Sequence, residues 1–172
     1  MSFSVLRILT YILGIVGTSL LAPLAVALLR GEGSMVPAFL VPMLVAWAAA
    51  AAFGLMARGR EREFSARGAF GIVGCIWVAI CLFGAVPLYW SGAFPSAMDA
   101  VFESVSGFTT TGASVLSDVE SLPASLNLWR CQTHWLGGMG VVALAVALIP
   151  LLGIGGFRLI KAETTGDRKS VV

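Results

Sequence analysis

The chain has 172 residues, of which 58% are hydrophobic and only 12% are charged, and its mean hydropathy is +0.93. These values exclude an ordinary soluble globular domain and predict an integral membrane protein. The formal net charge of +2 by itself indicates little. As partners we expect membrane lipid and no nucleic acid.

Two apolar runs near the N-terminus predict a pair of transmembrane helices. Residues 8–29 carry no charge over 22 positions and residues 35–57 carry none over 23, so each can cross a bilayer core of about 30 Å. A short polar turn at residues 30–34 separates them. The first run has one alternative, because Arg7 before it and an Ala-Val-Ala sequence at residues 25–27 resemble a secretory signal peptide with its cleavage site.

Small residues recur at a spacing of four in both runs. This spacing places them on one face of a helix, where a second helix can approach closely. The two sets are Gly14, Thr18 and Ala22 in the first run and Ala46, Ala50 and Gly54 in the second. We interpret both sets as packing faces.

Basic residues are distributed unevenly between the two sides of the membrane. A charged loop at residues 58–67 precedes a third apolar run, residues 68–90, which ends in aromatic residues typical of the headgroup region. Nine of the eleven basic residues fall on one side: Arg7, Arg58, Arg60, Arg62, Arg67, Arg158, Lys161, Arg168 and Lys169. Only Arg30 and Arg130 fall on the other. The positive-inside rule makes the first side, with both termini, cytoplasmic.

The segment after the third run is too short and too polar to cross a bilayer, and it predicts a re-entrant pore helix. Ser96 and Asp99 form a capping box, which satisfies amide groups that the first turn of a helix leaves free. At about 1.5 Å per residue, a helix over residues 97–107 reaches only about half of the bilayer core. Gly107 is predicted to end this helix.

Residues 109–113, Thr-Thr-Thr-Gly-Ala, follow the pore helix, and we call them the filter loop. β-Branched residues extend a short helix poorly, and Gly112 can adopt backbone conformations closed to other residues. Irregular backbone at membrane depth is tolerated only where it is buried in protein or lines a water-filled cavity. In such a cavity, backbone carbonyl groups can replace the hydration shell of a cation. The candidate ion-binding residues are Thr109, Thr110, Thr111, Gly112 and Ala113.

Glu103 lies inside the predicted pore helix, where an unpaired charge would cost several kcal/mol. It must have a partner or reach water, and two roles stay open: hydrogen bonding to backbone behind the filter loop, or supplying negative field to the pore. Arg130 is a conceivable partner. Asp118 and Glu120 are predicted near the outer mouth, where they either concentrate cations or keep the loop soluble.

A fourth apolar run, at residues 124–152, is predicted to return to the cytoplasm. Its Gly137-Gly-Met-Gly140 cluster weakens the helix but lets another backbone approach closely. His134 has no second ligand at helical spacing, so we interpret it as a polar packing residue in preference to a metal ligand. Residues 158–172 are predicted to form a cytoplasmic linker.

Two motifs together resemble the first pore repeat of TrkH-type potassium uptake proteins, which belong to the Trk/Ktr/HKT superfamily. The first is Ser106-Gly-Phe-Thr-Thr-Thr-Gly-Ala-Ser114, preceded by Phe102-Glu-Ser104. The second is Trp129-Arg130 followed by His134-Trp-Leu-Gly-Gly-Met-Gly140. Against the channel signature Thr-Val-Gly-Tyr-Gly, this chain keeps the central Gly112 and lacks the Tyr-Gly pair, a degeneracy that the family shows. The resemblance extends over essentially the whole chain.

The resemblance implies an all-α integral membrane protein with four transmembrane helices plus one re-entrant pore helix and filter loop. A helical pair with its cytoplasmic loop, residues 1–67, precedes one M1-P-M2 pore repeat, residues 68–157. The implied function is potassium uptake, with K⁺ bound at Thr110, Thr111 and Gly112 and with Glu103 and Gly107 as pore support.

A filter needs a ring of carbonyl groups from four pore loops, and this chain supplies one. We therefore expect a fragment of a longer transporter, with the remaining pore repeats as its partners, or a subunit that assembles four-fold into a minimal cation channel. The resemblance also implies a homodimer, a TrkA-like cytoplasmic nucleotide-binding regulator and a cytoplasmic (inner) membrane location. No cofactor is expected. A non-transporting helical membrane protein is an alternative, whereas an enzyme is disfavoured because no nucleophile, base or metal cluster converges.

Overall fold

Six helices make up the regular structure of the computed structural model, which describes residues 3–56 and 66–151. They are α1 (Phe3–Ser19), α2 (Leu21–Arg30), α3 (Val36–Met56), α4 (Ala66–Trp90), α5 (Ala97–Phe108) and α6 (Ala124–Leu151). No strand occurs in these two stretches, so the predicted all-α class is confirmed. The predicted linker at residues 158–172 and most of the predicted loop at residues 58–67 lie outside the described residues.

The chain is an integral membrane protein by the length and apolarity of its helices. It divides into two compact units, Met1–Gly138 and Met139–Val172. Within the described stretches, three helical segments are long and apolar enough to cross a membrane: Ile8–Arg30, Val36–Met56 and Gly71–Trp90. The fourth predicted span corresponds to α6. Large apolar side chains such as Ile15 and Leu29 are exposed by 69% and 86%, which suits lipid and not water.

The first predicted span is two helices rather than one, because the regular hydrogen bonding is interrupted at Leu20. Pro23 has no backbone N–H, so the carbonyl of Ser19, four residues earlier, loses its helical donor. That carbonyl instead accepts a hydrogen bond from the Gln132 side-chain amide of α6, at 2.8 Å. The helix therefore breaks where a neighbouring helix satisfies the freed carbonyl group.

The predicted small-residue faces of the first two spans meet each other. A Cβ atom added at Gly14 would lie 3.1 Å from the Ala50 Cβ, and one added at Gly17 would lie 2.9 Å from the Ala46 Cβ. The Trp47 indole donates to the Thr18 hydroxyl at 3.0 Å. The close approach of α1 and α3 thus depends on glycine at two positions of α1, and the predicted packing is confirmed.

Replacing Gly17 with Val tests this contact, because the new side chain would meet Ala46 at less than the normal distance. Overpacking of this kind costs about 1–3 kcal/mol, so the free energy of unfolding in detergent should fall by that amount. Gly74→Val in α4 is the matched control, since no described atom lies within 4 Å of a Cβ placed there. Equal stability of the two variants would contradict the close α1–α3 contact.

The turn between α2 and α3 caps the N-terminus of α6. The Glu32 carboxylate accepts hydrogen bonds from the N–H groups of Ala124 at 2.9 Å and Ser125 at 3.2 Å, and from the Ser125 hydroxyl. These amides belong to the first turn of α6, where negative charge is favoured. Burial acts to raise the pKa of Glu32, but the hydrogen bonds from Ser125 and Ala124 and the Arg30 charge outweigh it. The pKa therefore lies below its usual value.

This cap should make stability depend on acidic pH. Because the folded pKa of Glu32 is lowered, its contribution is fully present above the ordinary value of 4.5 and is lost as the pH falls through the folded value. We expect the thermal midpoint of the wild-type chain to fall through this acidic window more steeply than that of Glu32→Gln. Glu120→Gln, at an exposed loop carboxylate, should keep the wild-type profile. A Glu32→Gln profile parallel to the wild type would refute the cap.

Candidate functional site

The short helix α5 begins at the predicted capping box. The backbone N–H of Asp99 donates to the Ser96 hydroxyl oxygen at 3.1 Å, and that hydroxyl donates to the Asp99 carboxylate at 2.9 Å. The predicted N-terminus is therefore confirmed. The helix continues to Phe108, one residue beyond Gly107, so the prediction that Gly107 ends it is wrong.

Glycine is needed at position 107 for a different reason, which is the close approach of α5 to α6. A Cβ atom at Gly107 would lie 2.1 Å from the Thr133 hydroxyl, and one at Gly137 would lie 2.1 Å from the Phe108 carbonyl oxygen. Both distances are far below van der Waals contact. The C-terminal end of α5 is thus packed directly against the backbone of α6.

Helix α4 holds α5 from another direction. The Ser104 hydroxyl donates to the Cys81 carbonyl at 2.7 Å, and the Trp129 indole of α6 donates to the Gly84 carbonyl at 3.0 Å. The rings of Phe108 and Trp129 meet edge to face, with their centroids 6.4 Å apart. Both aromatic side chains are fully buried, so α4, α5 and α6 share one packed contact.

The true end of α5 is a hydrogen-bonded turn built on Thr110. The N–H of Thr110 donates to the Gly107 carbonyl and the N–H of Thr111 donates to the Ser106 carbonyl, both at 2.9 Å. These two bonds define a Schellman motif, in which the residue after the C-cap is left-handed and is usually glycine. Here that residue is Thr110, with φ of 58°.

Thr110 and Gly112 both have positive φ, at 58° and 77°. For a β-branched residue this conformation is a genuine outlier that costs about 1–3 kcal/mol, and it persists only when surrounding contacts fix it. No described atom lies within 4 Å of a Cβ placed on Gly112, so glycine is required there for its backbone conformation and not for space. Such outliers cluster at functional sites.

Side-chain hydrogen bonds fix both ends of the filter loop to α5. The Thr109 hydroxyl lies 2.8 Å from that of Thr111 and donates to the Val105 carbonyl at 2.7 Å. At the other end, the Ser106 hydroxyl donates to the Ala113 carbonyl at 2.5 Å. One acceptor position of the Ala113 carbonyl is therefore occupied, which distinguishes it from the other candidate ligands.

Glu103 lies at the centre of a buried ion-pair cluster behind the filter loop. Its Oε1 atom accepts from Nε and Nη2 of Arg130, both at 2.6 Å. The Ser114 hydroxyl lies 3.0 Å from each carboxylate oxygen, and the N–H of Val115 donates to Oε2 at 3.2 Å. The side chains of Glu103 and Arg130 are only 2% and 12% exposed. The carboxylate therefore joins α5, α6 and the two residues that follow the filter loop.

The remaining candidates have simpler surroundings. His134 Nδ1 lies 2.9 Å from the Arg130 carbonyl of its own helix, which suits a packing residue. Asp118 accepts from the backbone N–H of Glu120 at 3.0 Å, and both residues are exposed. Among the described residues, no three His, Cys, Asp or Glu side chains are grouped to hold a metal ion.

Ser106 and Ser114, which hold the end of the filter loop, carry no role that the sequence motifs predict. The signal was nevertheless present. Ser104 and Ser106 are hydroxyl residues in a helix of otherwise apolar surroundings, and buried polar groups require hydrogen-bond partners. Their presence predicts hydrogen-bond acceptors nearby without identifying them.

Comparison with known proteins extends these observations. The sequence profile of TrkH, a cation transport protein, matches residues 37–172. The chain belongs to the TrkH family. The resemblance seen in its motifs is therefore confirmed.

Two relatives of this TrkH family member are named as Trk system potassium uptake proteins. TrkH from Halomonas elongata is 40% identical over 166 residues, which cover 96% of this chain and 34% of that protein. TrkG from Escherichia coli is 36% identical over 180 residues, covering 98% and 36%. The crystal structure of the potassium transporter TrkH from Vibrio parahaemolyticus superposes with a TM-score of 0.80 at 37% identity, covering 90% of this chain and 33% of that one. The chain spans about a third of the length of these relatives.

The Glu103 cluster gives a direct prediction. Glu103→Gln leaves Arg130 buried without a counter-charge, and breaking a buried ion pair costs about 3–5 kcal/mol. The free energy of unfolding, measured by denaturant titration in detergent, should fall accordingly. Asp118→Asn, at an exposed carboxylate, should change it by less than about 0.5 kcal/mol. Comparable stability of the two variants would show that the cluster does not hold the site together.

Proposed function

We propose that this chain contributes one of four pore loops to a potassium-selective filter in the cytoplasmic membrane. The single observation that carries the proposal is the pair of left-handed residues, Thr110 and Gly112, in an irregular segment at the C-terminal end of a short helix. Strain at such positions is maintained where function requires a particular backbone shape. Membership of the TrkH family supports the same function.

The chemistry is dehydration and coordination. Carbonyl oxygens of Thr110, Thr111 and Gly112 replace water around K⁺, and those of Thr109 and Ala113 flank them. The Ala113 carbonyl already accepts from Ser106, so it makes the weaker contribution of the set. The negative end of the α5 dipole lies at the start of the filter loop and adds favourable potential for a cation.

Glu103 acts in this proposal as a support for the filter loop and not as an ion ligand. Its oxygens already accept from Arg130, Ser114 and Val115, and its side chain is 2% exposed. A carboxylate so engaged has little capacity left for a permeating ion. Gly107 supports the loop by allowing α5 to contact α6.

One filter loop cannot surround an ion, so further pore repeats must complete the ring. Residues 109–115 are exposed in this chain, and exposed irregular backbone is incompatible with lipid. The outer face of α5 also leaves Met98, Phe102 and Val105 uncovered. An apolar groove of about 580 Å³ lies beside it, between α4 and α5. These surfaces suit contact with the remaining repeats of a longer TrkH-like transporter, which accounts for a chain a third as long as its relatives.

Family membership and the charge distribution support a proposal for the wider assembly. We place the transporter in the inner membrane with both termini of this chain in the cytoplasm, as its basic residues favour. The complete protein forms a homodimer and works with a TrkA-like nucleotide-binding regulator. Transport needs no cofactor and no enzymatic step from this chain.

Potassium flux into liposomes tests the function. We would compare the 172-residue chain alone with the same chain joined to the remaining two-thirds of Halomonas elongata TrkH. The joined form should carry K⁺, and Gly112→Asp should reduce that flux to background because Asp disfavours the left-handed backbone and obstructs the ring. Flux by the chain alone would instead favour four-fold self-assembly.

Gly92→Asp is the matched control for this substitution. Gly92 has φ of 75°, close to that of Gly112, and no described atom lies within 4 Å of a Cβ at either position. Gly92 lies before α5 and outside the filter loop, so its variant should retain K⁺ flux. Equal loss in both variants would point to misfolding, and flux unchanged by Gly112→Asp would refute the proposal.

A further inference from the structure

The N-terminal helices make two polar contacts with α6 that pore architecture alone does not require. The first is the cap of Glu32 on Ala124 and Ser125. The second is the hydrogen bond from the Gln132 amide to the Ser19 carbonyl, at 2.8 Å. Both contacts reach the same short stretch of α6.

These contacts and the Glu103 cluster occupy opposite faces of α6. Ser125 and Gln132 are seven residues apart, which is about two turns and hence one face. Arg130 precedes Gln132 by two residues, which at about 100° per residue places it about 160° away. Thr133 and Gly137, three and seven positions after Arg130, share its face and contact α5. Helix α6 is therefore held between the N-terminal helices and the pore helix.

Arg130 lies between the two anchoring points along the chain, five residues after Ser125 and two before Gln132. Its guanidinium binds Glu103, which in turn holds Ser114 and Val115 at the end of the filter loop. A shift of α6 would consequently move the carboxylate that fixes the loop. The connection is a continuous series of hydrogen bonds and packed backbone, the kind of network through which positional coupling travels.

Gln132 shows that this anchoring has a cost. Its Oε1 atom is buried and has no hydrogen-bond partner among the described residues. A buried unsatisfied acceptor is destabilising, and an apolar side chain at this position would avoid that penalty. The amide nitrogen does make a contact, with the Ser19 carbonyl that Pro23 frees, so Gln132 is held on the N-terminal helices through its nitrogen alone.

We propose that Glu32 and Gln132 are positioning residues for ion selectivity, through which the N-terminal helices hold α6 and, by way of Arg130 and Glu103, the filter loop. The proposal rests on the proposed function and adds to it. It assigns the helical pair that precedes the pore repeat a part in selecting the ion.

The test is the ratio of K⁺ to Na⁺ flux in liposomes, in whichever form of the chain carries K⁺. Gln132→Leu removes the anchor together with the unsatisfied acceptor, so the variant should fold while its K⁺/Na⁺ ratio falls by about three-fold or more, the range of such couplings. Glu32→Gln weakens the other anchor and should lower the ratio in the same direction. Cys131→Leu, at the exposed neighbouring position, should leave it unchanged.

A double variant separates positioning from general destabilisation. If Gln132 acts through Glu103, adding Gln132→Leu to Glu103→Gln should lower the ratio no further than Glu103→Gln does alone. Independent, additive losses would overturn the proposal. A wild-type ratio in both Gln132→Leu and Glu32→Gln would also overturn it. If K⁺ flux still vanished in Gly112→Asp, that result would overturn only the positioning proposal and would support the proposed function. Absence of K⁺ flux in every form would refute both proposals.

Discussion

The buried ion pair between Glu103 and Arg130 is the interaction on which the rest of the site depends. Removing two charges from water is expensive, and the mutual attraction compensates only when geometry is good and the remaining oxygen positions are satisfied. Both conditions hold. Two guanidinium nitrogens lie 2.6 Å from Oε1, while Ser114 and Val115 supply donors to the carboxylate. The hydrogen bonds from Ser114 and Val115 that help to stabilise the buried carboxylate also fix the end of the filter loop.

Close backbone packing supplies the rigidity that this pair needs. Glycine at positions 84, 107 and 137 lets α4, α5 and α6 converge on Phe108, since a Cβ at any of them would lie within 2.5 Å of a neighbouring atom. Because such dense packing has low compressibility, a shift of one helix displaces the helices packed against it. It also explains how Thr110 keeps a conformation that a β-branched residue disfavours, because hydrogen bonds from Thr110 and Thr111 to α5 hold it on both sides.

Local sequence patterns predicted the parts of this fold that local chemistry determines. The apolar runs gave the membrane helices, and Ser96 with Asp99 gave the start of α5. The break at Leu20 was missed although Pro23 signals it, because the apolar pattern continues unbroken across it. The end of α5 was misplaced at Gly107, since propensity assigns the left-handed position after a helix C-cap to glycine and not to a residue such as Thr110. Contacts such as Gln132 with Ser19, 113 residues apart, leave no local trace.

The hydrogen bonds that order the filter loop lie within this chain. Among the described residues, the hydrogen bonds that shape the filter loop come from residues 103–130, and the anchors of α6 come from the N-terminal segment that precedes them. A loop ordered in advance by its own repeat loses little conformational freedom when other repeats close around it. The uncovered face of α5 then needs to contribute only apolar contact, because the polar groups behind the loop are already paired. The shape of the loop is therefore set by contacts within this chain, and the proposed ring of carbonyl groups requires only that further repeats meet it.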